Sequence, residues 1–303
     1  MSESTLVDVK VLPDTNVILN VLSEVHPPTF CDNAIASASI DINGQSFSIF
    51  IQEDAVSLTL CKSYDASSGA YFVDDKTITL EHPVETLKGF YFGGQPWLIC
   101  YHSDSEYAQC YRINTTELTL ENMVATRVGA GFTTITPLYY RNDVFFVAYN
   151  KNTGAVAKYQ MMSPAYSPLY CQVSWSATWA QGWTRFAFFR LGGENFFIKT
   201  NEKYNKVNID HFMDSIDLGS HPVLNESATP LMLGLSDVQT FYDTNNTPYF
   251  YTYQPDGSMT FNRFDGDCNG WKVALTCQQA ANSSLRHTVQ LPDRTLILLC
   301  QNS

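Results

Sequence analysis

Residues 144–150 read Val-Phe-Phe-Val-Ala-Tyr-Asn, and this short apolar run decides the fold because it returns along the whole chain. Five other runs of the same length and character begin at Ser46, Pro96, Asn195, Pro248 and Thr295. Counted from one start to the next, the separations are 50, 48, 51, 53 and 47 residues. Self-similarity at such a period is typical of repeat architectures, in which each repeat is one supersecondary unit.

Three further strand-like segments surround the central run of each unit. One precedes it and ends in a turn rich in Gly or Asn, as in Phe90-Tyr-Phe-Gly-Gly, because these residues supply the positive φ of a hairpin turn. Another follows a polar turn, as in residues 206–212, and a weaker fourth closes the unit, as in residues 271–277. Four antiparallel strands per repeat predict a propeller blade whose second strand is apolar on both faces.

The two ends of the chain complete the sixth unit. The last unit stops after its second strand, and the segments 6–12 and 16–22 near the start offer the missing pair. Pairing the ends would also cover edges that are otherwise exposed. We therefore predict an all-β fold, one six-bladed β-propeller domain over residues 1–303 with four antiparallel strands per blade. Its last blade would be closed by N- and C-terminal strands. Five blades plus a separate hairpin is the alternative count.

Composition restricts the partners and the compartment. A formal net charge of −12 argues against nucleic acid and anionic membranes, which both need a basic surface. We find neither a secretory signal in residues 1–20 nor an apolar stretch approaching the ~20 residues of a membrane helix, so we expect a cytoplasmic protein. The eight cysteines form no zinc-like pairs and are interpreted as buried thiols, with Cys100 and Cys110 as one candidate disulfide across a hairpin. Lys199 lies inside an apolar strand, and we expect its ammonium to reach solvent.

The repeat pattern resembles the fungal fucose-specific lectins, which are six-bladed propellers with an Arg-Val-Tyr-aromatic-Gln strand followed by a strand that carries a Glu. The resemblance rests on spacing and on strand endings such as Ile49-Phe-Ile-Gln. The family's sugar-binding Arg then falls on Ser48, Leu98, Phe146, Phe197, Phe250 and Ile297. Its Glu falls on Leu60, Cys110, Lys158, Ile209 and Asn262. The resemblance implies the fold, whereas these positions lack the charge-assisted hydrogen bonds that a sugar needs.

Only the core pattern repeats in the sequence, and the polar residues do not repeat from blade to blade. This favours one site, at the mouth of the central channel, over several equivalent ones. Some divergent members of this propeller group look like the hetero-Diels–Alderases of tropolone–sesquiterpenoid pathways in fungi. That resemblance, at the level of fold, implies a cofactor-independent pericyclase of natural-product biosynthesis.

The candidate site residues lie in the loops that lead into the first strand of each unit. Four aromatic residues are candidates for substrate binding: Phe30, Phe132, Trp179 and Trp183. Stacking on a flat or polyene ligand is one role for them, and packing between blades is the alternative. The polar candidates for catalysis are His82, Arg185 and His287. A histidine can act as general acid or base, and an arginine can hold a pair of oxygens.

The functional hypothesis is a cofactor-independent enzyme that cyclises a mostly apolar small molecule, with no metal at its site. No nucleophile elbow, phosphate loop, dinucleotide fingerprint or zinc-protease motif occurs in the sequence. Catalysis by orienting reactants needs few charged groups, because positioning alone lowers a barrier. A carbohydrate-binding, lectin-like propeller and a protein-interaction scaffold are the alternatives.

Overall fold

A computed structural model describes residues 4–11, 17–22, 25–140, 143–163, 169–201, 206–212, 220–224, 237–266, 268, 270–279, 281 and 283–301. The chain is a six-bladed β-propeller in which every blade is a sheet of four antiparallel strands. The predicted fold class is confirmed, and the alternative of five blades is excluded. Two compact units divide the chain, residues 27–181 and residues 1–26 with 182–303, and each contains three blades.

The unit of residues 27–181 contains blades I to III. Blade I is β3 (Ala34–Ile42), β4 (Gln45–Gln52), β5 (Ser57–Asp65) and β6 (Ala70–Thr79). Blade II is β7 (Thr86–Phe92), β8 (Gln95–Tyr101), β9 (Tyr107–Asn114) and β10 (Thr119–Arg127). Blade III is β11 (Thr134–Tyr140), β12 (Asp143–Tyr149), β13 (Ala155–Met162) and β14 (Tyr170–Thr178). One short helix, α1 (Thr29–Asp32), precedes blade I.

The other unit contains blades IV to VI. Blade IV is β15 (Arg185–Leu191), β16 (Glu194–Asn201), β17 (Lys206–Phe212) and β18 (Ser220–Leu224). Blade V is β19 (Asp237–Tyr242), β20 (Pro248–Tyr253), β21 (Ser258–Phe264) and β22 (Trp271–Gln278). Blade VI is β23 (Ser283–Gln290), β24 (Thr295–Gln301), β1 (Ser4–Val11) and β2 (Val17–Val21), in that order across the sheet.

Both chain ends build blade VI, as the sequence predicts. Strand β1 pairs antiparallel with β24, and Val7 lies opposite Ile297 in this register. The two side chains are fully buried, so the closure is an apolar contact within the blade. An ion pair between Arg294 and Asp8, 3.2 Å from Nη1 to Oδ2, adds a polar contact to this closure.

The second strand of each blade forms the core. Every residue of β20 is buried, and in β8 and β12 every residue after the exposed first one is buried. Successive side chains of a strand point to opposite faces. Both faces of the strand are therefore covered, which confirms the prediction from the apolar runs. The fourth strands β14 and β22, at the outer edge of their sheets, are mostly exposed or half-buried.

Hydrogen bonds of tyrosine hydroxyls join neighbouring blades within one unit. Each of these tyrosines lies near the end of a first strand, opposite the first residue of the apolar run. The Tyr91 hydroxyl donates to the Asp41 carbonyl, and the Tyr139 hydroxyl accepts from the Tyr91 amide at 2.7 Å. In the other unit the Tyr242 hydroxyl accepts from the Arg190 amide at 2.8 Å. Each contact satisfies a backbone group that the blade's own ladder leaves open. We call these positions the junction residues.

The cysteine prediction is corrected in one respect. Cys100 and Cys110 are both free and buried. They lie one register step apart on β8 and β9, since Cys110 is opposite Ile99, and they belong to different apolar clusters. Their side chains point to opposite faces of blade II, so a disulfide between them is excluded by the alternation of a strand. No described helix is long and apolar enough to cross a membrane.

Candidate functional site

A polar cleft opens between blades I and II, beside the turns that join the first and second strands of each blade. Its volume is about 400 Å³, and its walls are residues 42–43, 91, 94–96, 112–115 and 121. Two of the walls are tight turns with positive φ at both central residues, Asn43-Gly44 in blade I and Gly93-Gly94 in blade II. Such turns are favoured between adjacent antiparallel strands, and they hold the cleft's edges at fixed positions. We call this feature the I–II cleft.

A charged pair lies at one wall of the I–II cleft. Arg112 on β9 and Glu121 on β10 are direct cross-strand partners, with 2.8 Å between Nη2 and Oε2. About a third of each side chain is exposed, so the pair can be reached from solvent. Cross-strand pairs of opposite charge stabilise a sheet only slightly, and this one presents fixed hydrogen-bonding groups to the cleft.

Asn114 holds this pair in place. Its Oδ1 accepts the backbone amides of Thr116 and Glu117, both at 3.1 Å, which closes the turn between β9 and β10. Its Nδ2 donates to Glu121 Oε1 at 2.8 Å. The hydrogen bonds from Asn114 and Arg112 lower the pKa of the Glu121 carboxyl below its ordinary 4.5, so this group is ionised at neutral pH.

Tyr91 contributes an aromatic surface to the cleft. It is the junction residue between blades I and II, because its hydroxyl donates to the Asp41 carbonyl. Partial burial raises the pKa of this hydroxyl, which therefore remains a hydrogen-bond donor. The ring is fixed at one end and is a half-buried aromatic surface of a cleft whose apolar wall residues Ile42 and Pro96 are buried.

The polar position of Arg112 recurs in every blade, which the sequence analysis did not predict. In each blade the third-strand residue opposite the second residue of the apolar run is polar or charged. In blades I to VI these residues are Lys62, Arg112, Gln160, His211, Arg263 and Asp8. Among the described residues three of these form ion pairs, with Asp74, Glu121 and Arg294 as partners, and His211 Nε2 lies 3.0 Å from Glu194 Oε2. The polar residues therefore do repeat, but their chemistry changes from blade to blade.

The expectation that the Lys199 ammonium reaches solvent is wrong. Its ammonium is buried on blade IV and donates to Asp210 Oδ2 at 2.8 Å, with both side chains at most 6% exposed. The same ammonium lies 4.8 Å from the centre of the Trp183 ring. A cation over an indole face is attracted by the ring's quadrupole. The lysine is wholly internal because a carboxylate and an aromatic face replace the water that its head group would need.

The aromatic candidates occupy different environments. Trp183 is 5% exposed, in the contact with Lys199. Phe30 packs on Phe50 with 5.7 Å between ring centres. Phe132 meets Tyr159 edge to face at 6.3 Å. Trp179 is half-buried and lies 5.9 Å from the Tyr149 ring. Phe30, Phe132 and Trp179 are all half-buried and Trp183 is buried. The contacts fit the packing alternative for all four, and their role in substrate binding stays a prediction.

The polar candidates are also separated by burial. His82 is exposed in the loop before β7, whereas His287 is 3% exposed on the first strand of blade VI. Arg185 is half-buried at the start of β15, where Nη1 donates to the Thr184 carbonyl at 3.3 Å. Their catalytic role stays a prediction. Within the described part of the chain, no three His, Cys, Asp or Glu side chains form a group suited to a metal ion.

Arg112, Asn114 and Glu121 were not among the predicted site residues, because the lectin repeat carries its Arg and Glu on the second and third strands. A signal was nevertheless present. Arg112 and Glu121 are nine residues apart and flank an Asn-containing turn, a spacing that places them opposite each other in a hairpin with a four-residue loop. The pair connects the third strand to the fourth, one strand further out than the family pattern suggested.

No protein-family model and no curated protein match this chain. Solved structures do. The SapL1 lectin in complex with alpha methyl fucoside has a TM-score of 0.57 at 12% identity, with 91% of each chain covered. A GH43 β-1,3-galactosidase with galactodeoxynojirimycin has a TM-score of 0.54 at 10% identity, covering 90% of this chain and 98% of the other. A candidate 6-phosphogluconolactonase of Bacteroides fragilis has a TM-score of 0.54 at 12% identity, covering 96% and 85%. At these identities the similarity shows that the chain shares the propeller fold of these proteins.

Proposed function

We propose that this protein binds a carbohydrate in the I–II cleft. The observation that carries the proposal is the network of Arg112, Glu121 and Asn114 beside the Tyr91 ring. A sugar hydroxyl needs charge-assisted hydrogen bonds to offset the loss of water, and the sugar ring needs an apolar surface. The cleft offers both. The solved structures of the same fold that contain a fucoside or a galactose analogue support this class of ligand.

Binding is favoured over hydrolysis by the number of carboxylates. A glycosidase commonly uses two, one of which has a raised pKa and donates a proton. Glu121 is the one carboxylate among the described residues that line the I–II cleft. Its pKa is lowered by its two hydrogen-bond partners, which is the wrong direction for a general acid. The cleft is therefore suited to holding a sugar rather than cleaving one.

The experiment is a glycan array followed by calorimetry on wild type, Arg112→Ala and Lys62→Ala. Lys62 occupies the same register position in blade I and is also ion-paired, but it does not line the cleft. We expect at least one glycan to bind wild type and Lys62→Ala equally. Arg112→Ala should weaken that glycan about tenfold or more, as expected for a lost charged hydrogen bond. Equal binding by all three proteins, or no bound glycan, would contradict the proposal.

The cyclase hypothesis has one observation in its favour. Tyr149, Trp179 and Trp175 form a continuous aromatic array on blade III, with 5.9 and 6.4 Å between successive ring centres. The two tryptophans are half-buried, so an apolar molecule can reach them. If this array binds a polyene or tropolone-like substrate, Trp179→Ala should abolish the quenching of tryptophan fluorescence by such compounds and any turnover of them. Trp271→Ala, at a half-buried tryptophan of blade V, is the control.

A further inference from the structure

Arg263 and Lys272 place two positive charges directly opposite each other on the third and fourth strands of blade V. They are cross-strand partners on β21 and β22. Their counterparts in blade II are Arg112 and Glu121, which hold the same register positions and form an ion pair. Like charges directly opposite each other destabilise a sheet, whereas opposite charges stabilise it. Blade V therefore lacks a carboxylate that blade II has.

No described residue supplies that carboxylate. The side chains of Arg263 and Lys272 are both exposed, and in the part of the chain that the structure describes neither of them forms an ion pair. Asp265 lies only two residues from Arg263 along the chain and still does not pair with it. The chain has 30 acidic residues against 18 Lys and Arg, so two adjacent cations without a carboxylate do not follow from the composition.

A buried hydroxyl group beside Arg263 also lacks a partner. Tyr249 on β20 lies directly opposite Arg263 and is fully buried, and among the described atoms its hydroxyl has no hydrogen-bond partner. Buried polar groups are nearly always hydrogen-bonded, so an open one indicates a missing water, ion or ligand atom. Burial raises the pKa of this hydroxyl against the opposing effect of the nearby Arg263 charge, so the group is a donor at neutral pH.

Asp243 is the other charged group that acts on the Tyr249 hydroxyl. Its Oδ1 accepts the backbone amides of Asn245 and Thr247, both at 2.8 Å, which closes the turn between β19 and β20. This carboxylate therefore belongs to its own turn. It does not neutralise Arg263, with which it forms no ion pair among the described residues.

The three groups together suit a carboxylate. A guanidinium donates to both oxygens of a carboxylate, an ammonium donates to either, and a phenol adds a third donor. The exposed Arg263 side chain can move aside to admit an oxygen to the Tyr249 hydroxyl. We propose that blade V binds the carboxylate of a uronic acid between Arg263 and Lys272. The carboxylate is inferred from the residues of blade V alone, and only the sugar that carries it rests on the proposed function.

The net charge of the chain limits the size of the ligand. With a net charge of −12, most of the surface repels anions, and the two cations of blade V attract them locally. At 0.1 M salt such an attraction extends over about 10 Å. A sugar ring with one carboxylate fits within that distance, whereas a long polyanion would extend over the acidic surface around it.

The test is calorimetric titration with glucuronate, glucose and acetate. Wild type should bind glucuronate about tenfold or more tightly than either control compound, because glucose lacks the carboxylate and acetate lacks the ring. Lys272→Glu introduces the charge arrangement of blade II, so it should weaken glucuronate about tenfold or more without lowering the midpoint of urea unfolding. Lys151→Glu is the matched control, since it makes the same change of net charge at an exposed turn of blade III. It should bind glucuronate like wild type.

A second pair of variants separates binding from stability. Tyr249→Phe removes a buried hydroxyl without a described partner, so it should weaken glucuronate several-fold and leave the midpoint of urea unfolding unchanged or raised. Tyr251→Phe, on the same strand, removes a hydroxyl that lies 2.6 Å from Thr288 Oγ1. It should lower the unfolding midpoint and leave glucuronate binding unchanged. The reverse pattern in the two variants overturns the role of Tyr249 and with it the proposed site.

Three other outcomes also overturn the proposal. These are no binding of glucuronate at about 10 mM, binding of acetate as tight as that of glucuronate, and equal effects of Lys272→Glu and Lys151→Glu. A loss of glucuronate binding in Arg112→Ala but not in Lys272→Glu would assign the sugar acid to the I–II cleft instead. The binding of neutral glycans tests the I–II cleft alone, so the two proposals can fail separately.

Discussion

The side-chain amide nitrogen of Asn114 lies 2.8 Å from Oε1 of Glu121 and donates a hydrogen bond to it. This bond and the one from Arg112 favour the ionised carboxylate and lower the pKa of Glu121 below its ordinary 4.5. A group with a lowered pKa in the folded state keeps its charge to a lower pH than in the unfolded chain. The contribution of Glu121 is therefore present above pH 4.5 and is lost as the pH falls through the lowered pKa.

We accordingly expect glycan binding in the I–II cleft to be independent of pH between about 5 and 8 and to fall only in stronger acid. Asn114→Ala removes the largest contribution to the lowered pKa, so the acid midpoint should move up towards 4.5. Calorimetry at a series of pH values measures the binding, and carboxyl NMR measures the titration of Glu121 without any ligand. Asn150→Ala is the control, since Asn150 caps an equivalent turn through its Oδ1. A midpoint that is the same in both variants would refute this assignment.

Because Lys199 and Asp210 form a buried ion pair, removing one charge should destabilise the protein more than removing both. Lys199→Met leaves the Asp210 carboxylate buried without its cation, and we expect a loss of about 3–5 kcal/mol in the free energy of unfolding. The double variant Lys199→Met/Asp210→Leu removes both charges and should recover most of that loss. Urea unfolding of the single and double variants measures the cycle.

Lys62→Met is the matched control for this cycle, because Lys62 and Asp74 form an ion pair whose side chains are 35% and 58% exposed. Exposed pairs contribute about 0–1 kcal/mol. If Lys199→Met is no more destabilising than Lys62→Met, the Lys199 ammonium is solvated in solution and the buried arrangement is wrong.

The junction residues should contribute to stability through single hydroxyl groups. Tyr139→Phe leaves the Tyr91 amide without the acceptor that it has at 2.7 Å. A backbone donor deprived of its partner costs about 1–3 kcal/mol, and that is the expected loss. Thermal and urea unfolding provide the measurement. Tyr107→Phe, at a ring that is 47% exposed, should change stability by less than about 0.5 kcal/mol.

Alanine variants at Gly154 and Gly44 distinguish the effect of a steric clash from that of backbone strain. Gly154 has a φ of +80°, and a Cβ there would lie 2.1 Å from the Trp179 carbonyl oxygen. Gly44 has a φ of +79° and open space around it. Both alanine variants incur the same backbone strain, but only Gly154→Ala also displaces the Trp179 loop. We expect Gly154→Ala to be the more destabilising and to change tryptophan fluorescence. Equal stabilities and unchanged spectra would contradict the close contact.

Sequence reasoning succeeded for features that depend on one strand at a time. The six apolar runs, the Gly and Asn turns and the completion of blade VI by the chain ends are all local patterns, and the structure has each of them. It failed for Lys199, because the pattern of one strand does not show that Asp210 on the next strand lies beside the ammonium. It also failed to find the recurring polar position on the third strands.

The reason for these failures is that the pattern of one strand does not contain its register against the next strand. Asp210 lies opposite Phe197, two residues from Lys199, and only the pairing of β16 with β17 brings its carboxylate to the ammonium. Glu121 lies opposite Arg112 in the regular part of the β9–β10 ladder, and the lectin repeat places its Arg and Glu on the second and third strands instead.

The sequence by itself determined the repeat, the number of blades and the way in which the two chain ends share one blade, because burying apolar surface at a fixed period requires them. Only the tertiary structure decided that Arg112 and Glu121 meet beside the turn of blade I to form the I–II cleft. Apolar burial is tolerant of small shifts, whereas a hydrogen bond forms only within about 3 Å and so depends on the register of strands and the packing of blades.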